Sequence, residues 1–222
     1  MVTRVKSGIT GLDPLIEGGF VDGTINLVTG KTGTSKTILC SQFLNYGASQ
    51  LGQKGLYITS EETRNNIVKS MKQFGWDFDA LESKKMLKIL EVQPFEAKVI
   101  ISKITEAIES MKVKRLVIDS VSMFEYSLEE QHRIRKFLYT LFQKLREMNI
   151  LTVVTSEIPE EVNRLSQFGA VEFMADAVIK LQYMELADTR RSLMIRKMRM
   201  TNHSPNIHPF EITKTGLKIL SV

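Results

Sequence analysis

A single cysteine, Cys40, among 222 residues rules out an internal disulfide framework and suits a reducing compartment. Only five prolines and no low-complexity run leave nothing that reads as a linker or a disordered tail. No apolar stretch approaches the length of a membrane-crossing helix, and the opening Met-Val-Thr-Arg-Val-Lys is too polar for a signal peptide. A cytoplasmic protein is therefore expected, and the formal sequon Asn202-His203-Ser204 is without consequence. Three histidines without metal-ligand spacing, and no Ser/His/Asp order, argue against a metalloenzyme or a hydrolase triad.

What is present is ordinary for a globular protein. An apolar content of 43% over this length fits one large domain, residues 1–222, with a substantial core. The net charge is +5, with cations and anions interspersed through most of the chain. The densest cationic stretch runs from Arg190-Arg191 through Arg196-Lys197 to Arg199, and it reads equally as a solvated hairpin or as a phosphate-contacting element.

One stretch organises the rest. Gly30-Lys31-Thr32-Gly33-Thr34-Ser35-Lys36-Thr37 follows the apolar run 25–29 and leads into an apolar helical segment, 38–44. Strand, glycine-bearing turn, Lys-Thr and helix form the layout of a phosphate-binding loop. Backbone N–H groups of Thr32, Gly33, Thr34 and Ser35, with the positive helix end, would cradle phosphates. Lys36 would reach the β- and γ-phosphates of ATP, and the Thr37 hydroxyl would ligate Mg²⁺. One position departs from the pattern: Ser35 stands where glycine usually precedes the lysine, and a Cβ there invites strain.

Taken in order, residues 8–23 form a turn-rich lead-in with one short helix, with Asp13 as N-cap and Pro14 at its first position. A helix over 36–50, a strand over 56–59, a helix opened by Thr63 and ended by Gly75, a strand over 86–90 and a helix over 96–111 follow. The strand 114–120, a long helix over 129–147, the strand 150–155 and a short helix near 159–168 come next. Strands over 177–186, 192–198, 208–213 and 217–220 close the chain. Alternation of strand and helix predicts a mostly parallel sheet covered by helices on both faces, and the last strands would extend it as an antiparallel edge. Thr29-Gly30, Ser60-Glu61 and Asp119-Ser120 then all fall at carboxyl ends of strands, where such sheets bind ligands.

The chemistry at those ends is that of phosphoryl transfer. Asp119, closing an apolar strand, has the form of the acid that holds Mg²⁺ through its water shell. Glu61 and Glu62 are neighbours and point to opposite sides of an extended backbone, so one could polarise a water while the other supports it or an adjacent subunit. A helix-opening turn that favours acids is the alternative. Lys197 and Arg199, two apart on a strand, share a face and could offset charge on the γ-phosphate of a neighbouring chain. His203 reads as a plain loop histidine that could join them, and Cys40 as a small buried apolar residue.

These residues resemble one family. Thr10-Gly11-Leu12-Asp13, Gly18-Gly19, Leu27-Val28-Thr29-Gly30, Gly33-Thr34, Lys36-Thr37, Thr59-Ser60-Glu61-Glu62-Thr63, Phe74-Gly75-Trp76-Asp77, Val117-Ile118-Asp119-Ser120, Leu181-Gln182-Tyr183 and Lys197-Met198-Arg199 occur in the same order in KaiC-type domains. These are ATPases of the RecA superfamily that include the circadian-clock protein. The resemblance implies a RecA-type fold and ATP bound between subunits of a homo-oligomeric ring, usually a hexamer. It also implies slow Mg²⁺-dependent hydrolysis and regulation through a partner protein. By that likeness Glu61 and Glu62 match the paired catalytic glutamates, and Lys197 and Arg199 match the cations that reach the adjacent subunit's nucleotide. Glu172-Phe173 stand where the phosphorylating clock domain has a Ser-Thr pair, so self-phosphorylation there finds no support. Two other readings remain. One is a DNA-binding recombinase paralogue, which acids at Glu157, Glu160 and Glu161, near Arg164, disfavour. The other is an ATP-gated assembly scaffold with little turnover.

Overall fold

The structure is a computed structural model and describes residues 2–92, 97–127, 130–158, 165–166, 169–184 and 191–220. Strands β1 (Arg4–Val5) and β2 (Phe20–Val21) pair antiparallel around a 3-10 turn at Asp13–Ile16. The chain continues as β3 (Ile25–Gly30), α1 (Lys36–Gln50), β4 (Gly55–Thr59), α2 (Arg64–Lys72), α3 (Phe78–Ser83), β5 (Leu87–Glu91) and α4 (Ala97–Met111). Then come β6 (Arg115–Asp119), α5 (Ser122–Ser127), α6 (Gln131–Glu147), β7 (Leu151–Glu157), α7 (Val171–Met174), β8 (Ala177–Tyr183), β9 (Arg191–Met198), β10 (Ile207–Thr213) and β11 (Gly216–Ile219).

Nine strands form one sheet in the order β11-β10-β9-β8-β3-β7-β6-β4-β5. From β8 to β5 every pairing is parallel, and β9, β10 and β11 extend the sheet antiparallel. The expected architecture, a parallel centre with an antiparallel edge, is the one observed. The central strands are apolar throughout because both faces are covered. Along β3 and β6 alternate residues serve opposite cores. Val28 and Val117 join Phe43, Met71 and Phe78 on one face, while Leu27, Leu116 and Ile118 join Ile104, Leu138 and Phe142 on the other. Each such buried side chain contributes about 1.5–3 kcal/mol of apolar transfer energy.

The helices follow from their sequence periods. Ile100, Ile104, Ala107 and Ile108 bury one stripe of α4, and Ile134, Leu138, Leu141 and Leu145 one stripe of α6. Thr63 caps α2 as expected, its hydroxyl accepting from the Asn66 amide at 3.3 Å. Asp13 behaves differently. Its carboxylate accepts from the Ser7 amide at 2.9 Å, and Leu12 precedes the short turn without a side-chain cap. The local Asp-Pro signal is outweighed by a contact to a residue six positions earlier. Helices α3, α5 and α7 are too short to leave a periodic signature and were not expected. The helix placed at 159–168 lies almost wholly outside the described residues, as do Glu160, Glu161 and Arg164.

Two polar devices lock this frame. Gln42 on α1 donates to the carbonyls of Gly8 and Leu217 and accepts from the Leu217 amide, so lead-in, helix and β11 meet on one side chain. Arg115, the first residue of β6, is completely buried, and no carboxylate pairs with it among the described residues. It donates to Gln53 Oε1 (2.7 Å) and to the carbonyls of Phe43 (2.9 Å) and Lys6 (2.7 Å), and lies 4.6 Å over the Phe43 ring. Burial pulls its pKa down to about 10, so it stays charged at neutral pH. Gly47 makes room for it, because a Cβ there would stand 2.4 Å from Arg115 Cδ. Arg115→Met preserves bulk but orphans buried acceptors, and is expected to cost about 2 kcal/mol. Urea unfolding checks this, and an unchanged midpoint would show that the desolvation of the cation cancels its hydrogen bonds.

Candidate functional site

The carboxyl ends of β3, β4, β6 and β7 open on a common cleft of about 630 Å³. Gly30 leaves β3 without a side chain because a Cβ would meet the Leu181 carbonyl at 2.4 Å and the Thr34 hydroxyl at 2.6 Å. The turn then closes on itself, with the Thr34 amide and hydroxyl donating to the Lys31 carbonyl at 3.3 and 2.8 Å. Tyr183, the last residue of β8, donates to the Gly33 carbonyl at 2.7 Å and fastens the turn to the sheet.

Lys36 is buried, and its ammonium donates to the carbonyls of Gly30 (2.9 Å) and Lys31 (3.2 Å). Thr37 donates to Asp119 Oδ2 at 2.8 Å. Asp119 is held twice more, by Tyr57 on Oδ2 at 2.6 Å and by Thr155 on Oδ1 at 2.5 Å. The register of β4, β6 and β7 makes this possible by setting Thr59 beside Asp119 and Ile118 beside Val154. Burial, and then the Asp119 charge, push the Tyr57 hydroxyl and the Cys40 thiol well above their usual ranges, so both remain protonated donors or inert groups.

Ser35 adopts φ +80° and ψ +27°, the left-handed conformation, immediately before α1. The strain expected from the missing glycine is therefore real, and its side chain makes no capping bond in return. Left-handed backbone costs a side-chain-bearing residue about 1–2 kcal/mol, and glycine gives back less than 1 kcal/mol of that through a looser unfolded chain.

Glu61 and Glu62 differ from expectation in one respect. The strand ends at Thr59, so the two acids lie in a turn rather than on an extended backbone, and both line the same cleft. Thr59 shapes that turn, its hydroxyl donating to the Glu62 carbonyl at 2.8 Å. Ser120 donates to Glu61 Oε1 at 2.6 Å. Burial first, then the charges of Asp119 and Glu61, hold the Glu62 carboxyl above the usual range.

Lys197 and Arg199 are not in this cleft. β9 runs antiparallel to β8, so its eight residues carry the chain about 25 Å to the amino-terminal rim of the sheet. There Lys197 donates to the carbonyls of Glu172 (3.1 Å) and Ala175 (2.6 Å), and Arg199 pairs with Asp176 at 3.2 Å. The strand ends at Met198, so Arg199 stands in the turn after it, and a bulge opposite Val178 and Ile179 breaks the simple alternation. His203 hydrogen-bonds the Ser204 carbonyl at 3.0 Å, as a loop histidine would. The cationic stretch is thus divided: Arg191 lines the cleft, Lys197 and Arg199 the far rim, and Arg190 lies outside the described residues.

Several cleft residues escaped sequence reasoning. Phe74 and Ile212 provide an apolar wall, and Arg191 reaches in with a buried Nε that has no partner among the described residues. Phe74 reads from sequence as core of a helix, and Ile212 belongs to a strand remote in the chain. Tyr57 and Thr155 look like ordinary strand residues, and only the sheet register brings them to Asp119.

A turn of phosphate-loop layout after β3, an acid at the end of β6, one strand removed from β3 and bonded to Thr37, and an antiparallel extension of the sheet define a RecA-type P-loop fold. The chain belongs to the KaiC ATPase family, whose model, ATPase: KaiC, matches residues 5–222. It is 33% identical to the circadian clock oscillator protein KaiC of Parathermosynechococcus lividus over 98% of its own length and 42% of that protein's. For KaiC of Synechococcus elongatus the figures are 32%, 98% and 44%. The chain thus spans under half the length of these curated relatives. A crystal structure of a KaiC-like protein from the hyperthermophilic archaeon Pyrococcus horikoshii OT3 superposes with a TM-score of 0.92, at 40% identity, covering all of both chains.

Two outcomes are expected from this geometry. Ser35→Gly should raise stability by about 0.5–1 kcal/mol while Ser35→Ala does not, as measured by urea unfolding. Because the Glu62 pKa is raised on folding, its charged form destabilises the native state above the ordinary glutamate pKa and costs nothing well below it. Glu62→Gln should therefore raise the thermal midpoint at pH 7, with the gain vanishing by pH 4.

Proposed function

We propose that the chain, as one ATPase unit over residues 1–222, binds Mg-ATP in the cleft and hydrolyses it slowly within a homo-oligomeric ring. Its action would run through nucleotide-dependent assembly and a regulatory partner protein in the cytoplasm. The observation that carries this reading is the meeting of Lys36, Thr37, Asp119, Glu61 and Glu62 at one set of strand ends. Loop amides from Thr32 to Ser35 and the start of α1 bind the α- and β-phosphates, and Lys36 leaves the Gly30 and Lys31 carbonyls for the β- and γ-phosphates. Phe74 and Ile212 wall the base end, and Arg191 lines the same cleft as a cation for the polar part of the nucleotide.

The donor set fits Mg²⁺. The Thr37 oxygen retains lone pairs while its proton rests on Asp119, and Asp119 keeps acceptor capacity for ion-bound water. When bound, the ion offsets charge on the β- and γ-phosphates. Glu61, oriented by Ser120, or Glu62 accepts a proton from the attacking water in line with the γ-phosphate. Lys197 and Arg199 serve the nucleotide of an adjacent subunit, which agrees with their distance from their own cleft. The strain at Ser35 supports a second reading, an ATP-gated scaffold that turns over little.

Light scattering with size exclusion, with and without Mg-ATP, tests assembly, and phosphate release tests turnover. Lys36→Ala should abolish nucleotide binding. Glu61→Gln should lower turnover by about 100-fold or more while leaving binding intact. Binding and assembly unaffected by Lys36→Ala would end the proposal. Wild-type turnover no higher than that of a Glu61/Glu62 double replacement, with assembly retained, would favour the scaffold.

A further inference from the structure

Glu157 reads from sequence as an acid of a segment beyond the sheet, yet it is the last residue of β7, in register with Gly30 of β3. Its Oε1 lies 3.8 Å from Lys36 Nζ and accepts from the Thr32 hydroxyl at 3.4 Å. Among the described residues it is the only carboxylate within 4 Å of that ammonium. The remaining donors of Lys36 go to the Gly30 and Lys31 carbonyls. A negative oxygen therefore rests between a loop hydroxyl and the loop lysine, where the terminal phosphate of a bound triphosphate would place its own.

The backbone beneath it is fixed. The Glu157 amide donates to Ser122 Oγ at 3.1 Å, and β7 is hydrogen-bonded on both sides. The side chain is not fixed. It is 37% exposed and, among the described residues, holds only these two loop contacts, both long. A carboxylate of this kind can be displaced without disturbing the strand, but it cannot leave the neighbourhood, because its Cα is anchored. A nucleoside diphosphate, seated on the turn amides and the α1 terminus, reaches Lys36 through its β-phosphate alone and leaves Glu157 on the side that a γ-phosphate would fill. A triphosphate must take Lys36 from it and then lie against its charge.

We propose that Glu157 sets the preference between nucleoside di- and triphosphates, acting as an internal anion that a γ-phosphate must expel and that a diphosphate need not. The inference rests on the nucleotide-binding reading of the cleft and adds to it which nucleotide the resting site favours. A unit charge about 5 Å away in a half-exposed site is worth roughly a factor of ten in affinity.

Isothermal titration of the full chain with Mg-ADP and with the non-hydrolysable triphosphate Mg-AMPPNP, at fixed ionic strength, tests it. In Glu157→Gln, which keeps the shape and the hydrogen bond to Thr32, AMPPNP should bind roughly tenfold more tightly while ADP stays within about twofold. Glu157→Asp draws the charge back by one methylene and should move the ratio the same way by less, and it decides the matter if the amide variant folds poorly. An unchanged ratio, equal tightening of both nucleotides, or weaker AMPPNP binding in Glu157→Gln would overturn the proposal. Wild-type protein that binds neither nucleotide would instead remove the reading on which it rests, and the proposal with it.

Discussion

The Asp119 carboxylate is the point on which the site depends. Three hydroxyls from three different elements converge on it: Thr37 of α1, Tyr57 of β4 and Thr155 of β7. Tyr57 and Thr155 reach it because β4, β6 and β7 pair in parallel with a fixed register, and a slip of one residue would turn either hydroxyl to the opposite face. Parallel pairing in turn demands crossover helices, and those helices bury both faces. The polar centre and the apolar cores are therefore one construction. Charge in a low-dielectric setting makes an unpaired carboxylate costly, so satisfying Asp119 stabilises the frame that positions it.

Much of this was legible in the sequence, for identifiable reasons. The apolar runs at 25–29, 56–59 and 114–119 are short and bounded by turn residues, and α4 and α6 carry long helical stripes. A parallel sheet with an antiparallel edge follows from such alternation without knowledge of any relative. Residues whose role is local were found the same way: the turn from Gly30 to Thr37, Thr63 as a cap, and Asp119 at a strand end.

What could not be read was set by register or by distance along the chain. Tyr57 is a strand tyrosine until β6 lies beside it. Phe74, Arg191 and Ile212 share a cleft though they are scattered over more than a hundred positions. Arg115 looks like the charged start of a strand and is instead the largest fully buried side chain, because Gly47 leaves a hole that its stem fills. Glu61 and Glu62 read from sequence as neighbours on an extended backbone or as a helix-opening turn, and the early end of β4 at Thr59 gives them a common side. In each case a tertiary neighbour, not a local propensity, decided the outcome.

The antiparallel turn-back of β9 sets Arg191 at one rim of the sheet and Lys197 with Arg199 at the other. Faces that differ in this way cannot mate by a two-fold axis if each cation set is to find a cleft. In the assembly proposed above such contact would be head-to-tail: each subunit would give at one rim and receive at the other, and the assembly would either close on itself or grow without end. Any open arc would carry one cleft lacking donated cations and one pair of cations with nothing to serve.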